Sequence, residues 1–265
     1  QLPFMHFGCQ YSRTNTGFKI DQSTFAARLK PSDNPPGEDD RDLTPSELTQ
    51  FRSVLGGLLW LCSTRLDIIA EVGTLQSVIM KSKVKHLRQA NQLVKKACSP
   101  DKVGLGLHYR FFDKDTKFRI QCIHDASSAT KDRSYAQEGL LVVLMPELDD
   151  EILRQDDITC SSSDVQKLCN YGHLLFAHGG KAKRVSYSTS HAETLSAIGG
   201  LEAGSMVSVR LTELWIPVVN PSLQTLTAYQ EHGSRLFPVD AATDCRDFFE
   251  LCTGARAVPQ DKLQR

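Results

Sequence analysis

Apolar and polar side chains alternate between residues 118 and 125, with Phe118, Ile120 and Cys122 on one parity and Arg119, Gln121 and Ile123 on the other. A period of two predicts a strand with one buried face. Residues 138–146, EGLLVVLMP, form an apolar run closed by a proline, and 173-HLLFAH-178 and 184-RVSYS-188 predict two further strands. A helix is expected from about Ser190, and 236-LFPVDAATD-244 reads as a strand feeding a short helix, 245-CRDFFELC-252. Residues 147–171 are polar and carry 161-SSS-163, the pattern of a loop insertion.

The first half has a different rhythm. Residues 4–11 and 17–20 predict short strands around the polar turn 13-RTNT-16, and a short helix follows over 22–29. The stretch 31-PSDNPPGEDDRD-42 is rich in proline, glycine and acid and reads as an exposed loop. Thr44-Pro45-x-Glu47 opens a helix with a proline in its first turn and a capping glutamate. Residues 51–62 are largely apolar, with Gly56 and Gly57 permitting close backbone approach. A second helical pattern covers 67–80 and a basic amphipathic third covers 85–98. The first 110 residues are thus expected to be mostly helical after a small hairpin. Strands, helix, strand and helix in the second half point to an α/β or α+β domain.

Composition adds little except in its distribution. The chain has 265 residues, enough for one large domain or two smaller ones, and basic and acidic residues balance at 31 each. Eleven of those basic residues fall between Lys81 and Arg119 against three acids, Asp101, Asp113 and Asp115. Acidic runs at 38-EDDRD-42 and 147-ELDDE-151 offset them. Such a block suits both a phosphate-facing surface and an ordinary solvated helix. No run nears the roughly 18 apolar residues of a membrane span. The start QLPFMHFGCQ lacks the features of a signal peptide and reads as the interior of a longer protein. Eight scattered cysteines without zinc or C-x-x-C spacing fit a reducing, intracellular setting rather than a secreted one.

Three acids stand at predicted element ends: Asp125 in Asp-Ala-Ser, Glu193 in the helix start 188-STSHAE-193, and Asp244 in Thr-Asp-Cys. Each has an ordinary structural reading. Asp125 can make an Asx-turn, Ser190-x-x-Glu193 fits a capping box, and Asp244 fits an N-cap. Strand end, helix start and strand end can also converge on one edge of a sheet. Carboxylates gathered there can hold Mg²⁺, a hard ion that prefers oxygen and keeps several waters. Two such ions clamp an in-line displacement at phosphorus. Glu193, Ala197, Gly200 and Gly204 fall on one helical stripe, whose small residues would let the helix lie close to the sheet. With Gly199 they put three glycines in that helix, each costing about 1 kcal/mol against alanine, so a packing reason is expected. Asp240 shares strand parity with Asp244 and is its substitute candidate. Residues 178-HGGKAKR-184 read as a glycine turn with Lys181, Lys183 and Arg184 available to phosphates or to an ordinary basic hairpin. His124 reads as structural, and 104-GLGL-107 lacks the lysine of a P-loop.

Asp125-Ala126-Ser127, the Ser-Thr-Ser-x-Ala-Glu run and Thr243-Asp244 together resemble the ribonuclease H domain of copia-type retrotransposon polyproteins. Upstream, 51-FRSVLGGLLWLCSTRLDIIAEVGTLQ-76 is similar to the segment between polymerase and nuclease in those polyproteins, typically Tyr-Arg-Ser-x-x-Gly-x-Leu-x-Tyr-Leu-x-x-x-Arg-Pro-Asp-Ile. Here Phe51, Trp60 and Leu66 replace the two tyrosines and the proline. Residues 4–22 look like the end of a polymerase palm running into its thumb. The polar insertion at 147–171 is the main departure.

The resemblance implies a thumb and connection region over 1–112 and a ribonuclease H-like domain over 113–265, a mixed sheet with flanking helices. It implies Mg²⁺ or Mn²⁺ on Asp125, Glu193 and Asp244, and an RNA–DNA hybrid held through Ser127, Lys181, Lys183, Arg184 and the basic stretch 81–119. An upstream polymerase portion would be a partner within the polyprotein. The family's fourth carboxylate position would lie past 259-PQDKLQR-265, which leaves open how well the chain cleaves. The polymerase motif Tyr-x-Asp-Asp is absent, so DNA synthesis is not expected. Two other readings stay open: a non-catalytic nucleic-acid-binding remnant, and an integrase- or transposase-type nuclease on the same fold.

Overall fold

The structure, a computed structural model, describes residues 3–127, 136–147, 172–182, 188–215 and 236–254, with isolated helical positions at 224, 227, 228 and 231. The chain divides into two compact units, Gln1–Phe111 with Gly179–Lys181, and Phe112–His178 with Ala182–Arg265. Among the described residues there are two four-stranded sheets and six α-helices, a mixed architecture compatible with the α+β class.

In the first unit, β1 (Phe4–His6), β2 (Cys9–Thr14), β3 (Gly17–Asp21) and β4 (Gly106–Arg110) form an antiparallel sheet in that order. Two details differ from the sequence expectation. The single strand expected over 4–11 is split by a two-residue turn, in which Phe7 (φ 45°) and Gly8 (φ 70°) take the left-handed conformations of a type I′ hairpin. An apolar Phe7 hides that turn from any hydropathy pattern. Residues 13 and 14, expected in a turn, continue β2, and β4 was not expected at all. β4 is short and follows a glycine-rich start, so its alternation is too brief to read.

The helices of this unit are α1 (Ser23–Ala26), α2 (Pro45–Leu61), α3 (Ile69–Ser77) and α4 (Val84–Ala97). The capping box at the start of α2 is present in full, with Thr44 Oγ1 accepting from Glu47 N–H and Glu47 Oε2 accepting from Thr44 N–H. Arg41 also grips Glu47 with both guanidinium arms and holds its carboxyl down at about 2. Phe51, Leu55 and Leu58 of α2 meet Val72 and Leu75 of α3 and Leu87 and Val94 of α4 in the buried core. Arg65 is buried there as a charge, which is tolerable because every arm has a partner. It donates twice to Asp67 at 2.7 Å and once each to Ala97 O and Lys102 O. Gly57 packs against Leu29, whereas a Cβ at Gly56 would meet open space.

Four of the eleven basic residues in this stretch form ion pairs within this unit. Lys83 and Lys85 pair with Asp40, Arg88 with Asp39, and Lys96 with Glu71. The acidic loop thus folds onto the basic helix through solvent-exposed pairs.

In the second unit, β5 (Phe118–Ser127), β6 (Gln137–Pro146), β7 (His173–Lys181) and β8 (Val239–Ala242) form a sheet in the order β7-β6-β5-β8. β5 runs antiparallel to β6 and parallel to β8. Its even residues from Ile120 to Ala126 are buried and its odd residues from Ile123 onward exposed, as the alternation requires. The long α5 (Thr189–Trp215) packs on β5 and β6 and bridges to β8, and α6 (Arg246–Cys252) follows. Ile120, Cys122, Leu140, Val142 and Phe237 form the core under α5. Gly179, Gly180 and Lys181, expected in a turn, are strand residues of β7. Lys183, Arg184, the insertion over 148–171 and most of the strand expected at 184–188 lie outside the described residues.

Candidate metal centre

Parallel pairing sets the position of two of the acids. In the β5–β8 register Ile123 faces Ala242, and Asp125 and Asp244 each lie two residues further on. Parallel neighbours end on the same side of a sheet about 4.8 Å apart, so the chain brings two carboxylates to one edge by counting alone. Ligand-sites at the carboxyl ends of parallel strands follow the same logic. Asp125 and Asp244 are both exposed.

The third acid comes from α5. Glu193 is the fifth residue of that helix and is buried, 3% exposed. It is not part of a capping box: the cap is Ser188, whose Oγ accepts from His191 N–H at 3.1 Å and whose carbonyl accepts from Ala192 N–H. Ser190 is therefore not the cap either, and Asp244 does not cap α6, since Cys245 lies between it and Arg246. Glu193 reaches the sheet instead. Its Oε1 accepts from Ala126 N–H at 3.2 Å, and one turn along Ser196 Oγ donates to Asp125 O at 3.2 Å. These two bonds fasten α5 to the strand that carries Asp125.

The stripe of small residues makes that approach feasible. A Cβ on Gly200 would sit 3.1 Å from Leu140 Cδ1, and one on Gly204 would fall 2.3 Å from Cys122 Sγ and 2.9 Å from Val239 Cγ1. Gly199 is different: a Cβ there would meet open space, so its expected packing role is not found. At the far end Ser208 Oγ donates to Phe237 O at 3.0 Å, which fixes the helix lengthwise.

Asp125, Glu193 and Asp244 thus converge, each offering one oxygen within 4.8 Å of the others, and the group could hold a metal ion. Burial raises the Glu193 carboxyl above its usual range, and the Asp125 and Asp244 charges push the same way against the Ala126 hydrogen bond. Its second oxygen, Oε2, is buried without a hydrogen-bond donor. A buried carboxylate oxygen in that state is costly, and a cation between the three acids would satisfy it. His124 Nδ1 lies 3.7 Å from it, beyond hydrogen-bond distance, and burial holds the imidazole below its usual range. His124 packs edge-on against Phe248 with centroids 5.5 Å apart, which agrees with a structural place.

The remaining candidates divide. Asp240 is engaged by Arg119 at 2.7 Å and stands apart from the acid group. Ser127, two residues past Asp125, accepts from Gln137 N–H at 3.4 Å and closes the β5–β6 register. Lys181 ends β7 and belongs to the first compact unit. Two contributors were missed by sequence reading, the Ala126 N–H and the Ser196 hydroxyl. Ser196 could have been found, since it lies three residues from Glu193 on the same face of the helix. Comparison with protein-family models, with curated proteins and with solved structures gives no match.

Proposed function

We propose that the chain is a metal-dependent ribonuclease H that hydrolyses the RNA strand of an RNA–DNA hybrid, as part of a retrotransposon polyprotein. The observation that carries this reading is the register that puts Asp125 and Asp244 at equal offsets, two residues past the last pair of two parallel strands, with a Glu193 oxygen from the crossing helix within 4.8 Å of both. The sheet order β7-β6-β5-β8 with α5 crossing before β8 supports a ribonuclease H-like domain, in line with the resemblance of the three acid motifs.

The donor set is oxygen only, which suits Mg²⁺ or Mn²⁺ better than a soft ion. A divalent ion held there supplies Lewis acidity at phosphorus and charge for the leaving oxygen. Asp125 and Asp244 offer exposed oxygens, while Glu193 anchors the group through Ala126. In the reaction one P–O bond is exchanged for another, the oxygen of water replacing the sugar oxygen, which leaves as a hydroxyl. Hybrid recognition would rest on duplex shape and 2′-hydroxyls, with little base reading, and Ser127, two residues past Asp125, would contact the backbone beside the acids.

The test compares the chain with Glu193→Gln on a labelled hybrid in Mg²⁺ and then in Mn²⁺, alongside thermal melting. Glutamine keeps an oxygen for Ala126 N–H and removes the charge. Cleavage by the wild type, loss of at least about a hundredfold in the variant (the scale on which removing one electrostatic contributor acts) and equal melting would support the reading. A folded wild type inert in both metals would overturn it in favour of a binding-only remnant. Cleavage confined to double-stranded DNA would favour an integrase-type nuclease.

A further inference from the structure

The first sheet carries an aromatic face that the hydrolysis reading does not use. In the β1–β4 register Phe4 faces Tyr11, Tyr11 faces Ile20, Arg13 faces Phe18, and Phe18 faces Tyr109. Residues two apart on a strand share a face, so Phe4, Tyr11, Arg13, Phe18 and Tyr109 all lie on one side. Phe4 and Tyr11 stack with centroids 4.8 Å apart, Phe18 and Tyr109 stack at 5.0 Å, and the Arg13 guanidinium lies 5.7 Å over the Phe111 ring. Phe4 and Phe111, at the two ends of the array, are 46% and 59% exposed. Between them Phe4, Tyr11, Arg13, Phe18 and Phe111 line a hollow of about 430 Å³, within the range of small-ligand sites.

Charge narrows the choice of occupant. The strands of this sheet hold three formal cations, Arg13, Lys19 and Arg110, against one acid, Asp21. Asp21 faces Gln10 rather than Tyr11, so it lies on the opposite side, and Lys19 pairs with it there. The aromatic face of the strands therefore presents a cation and no carboxylate. A guanidinium stacked on a ring keeps its N–H fork free for phosphate. Rings on a sheet with an interleaved arginine are how single strands are bound without sequence preference, since every base has a π-face.

We propose that this face binds single-stranded nucleic acid, with bases stacking on Phe4, Tyr11, Phe18 and Phe111 and Arg13 contacting a backbone phosphate. The aromatic face belongs to the first unit and the carboxylates to the second, and the proposal does not depend on the hydrolysis reading. The face would hold an unpaired strand, for which a hybrid nuclease site has no use.

Fluorescence anisotropy of the full chain with a labelled oligothymidylate of about a dozen nucleotides tests it, the length being set by typical site sizes. Phe111→Ala should weaken binding by about tenfold, the scale of one base–ring stack, while Phe111→Trp keeps a ring and should stay near wild type. Arg13→Ala should weaken binding and reduce the log–log salt slope by about 0.7, the value for one phosphate contact on a single strand. Binding should be the same in chelator as in Mg²⁺, which separates this site from the metal-dependent nuclease site. Wild-type binding by both Phe111→Ala and Arg13→Ala, with circular dichroism unchanged, would overturn the proposal. So would a wild-type chain that binds no oligonucleotide. A concentration-dependent dimer that Phe111→Ala dissolves, with oligonucleotide binding unaffected, would assign the face to protein contact and also overturn it.

Discussion

Glu193 does two jobs with its two oxygens, and substitutions can separate them. One oxygen accepts from a buried backbone N–H, the other faces the acids without a donor. Glu193→Ala leaves Ala126 N–H unsatisfied and should destabilise by about 1–3 kcal/mol, whereas Glu193→Gln should leave the metal-free protein at least as stable. The sign of the pH dependence follows from the raised carboxyl. Folded Glu193 holds its proton more tightly than the unfolded chain does, so metal-free stability falls as pH rises from the ordinary value near 4.5 upward. Urea titrations in chelator across that range should show the fall in wild type and a flatter profile in Glu193→Gln. Adding Mg²⁺ at about a hundredfold its Kd should restore about 2–3 kcal/mol by mass action, and this gain should vanish in the variant.

At the scale of elements, α5 gives a sharp comparison between two glycines five residues apart. Gly204→Ala drives a methyl into Cys122 and Val239 and should cost about 1–3 kcal/mol as overpacking. Gly199→Ala meets open space and should gain about 1 kcal/mol in helix propensity. Thermal denaturation of the two variants checks both signs at once. From sequence these glycines looked alike, because helical spacing puts Gly199 beside the packed stripe and only the crossing of helix and sheet says which side is covered. The strands show a similar division. β5 was legible because its alternation runs long and its buried set is apolar to Cys122, and the equal offsets of Asp125 and Asp244 follow once parallel pairing is known. The β1–β2 turn was not legible, since Phe7 occupies a position that usually announces itself with Asn or Gly. The cap of α5 was ambiguous for another reason: Ser188, Thr189 and Ser190 are all good caps, and what selects Ser188 is how far the helix must extend to bring Glu193 to Ala126.

For the molecule as a whole, a formal net charge of zero conceals pairing between opposite blocks. Asp39 and Asp40 sit on Arg88, Lys83 and Lys85 much as phosphates would. Exposed pairs of this kind add little stability, about 0–1 kcal/mol each, so Asp39→Asn with Asp40→Asn should fold normally. The double variant should bind duplex nucleic acid more tightly than wild type at low salt. Its log–log salt slope should steepen by up to about 0.9 for each cation released to a phosphate, read by anisotropy over a salt series. The contact between Gly204 and Cys122 has a consequence in time rather than in space. Cys122 is fully buried and burial pushes its thiol up to about 11, so a thiol reagent can reach it only when α5 lifts from the sheet. Glu193 rides on the same helix, and each such opening also takes the three acids apart. The rate at which Cys122 becomes labelled is therefore a clock for how long the acid cluster stays assembled.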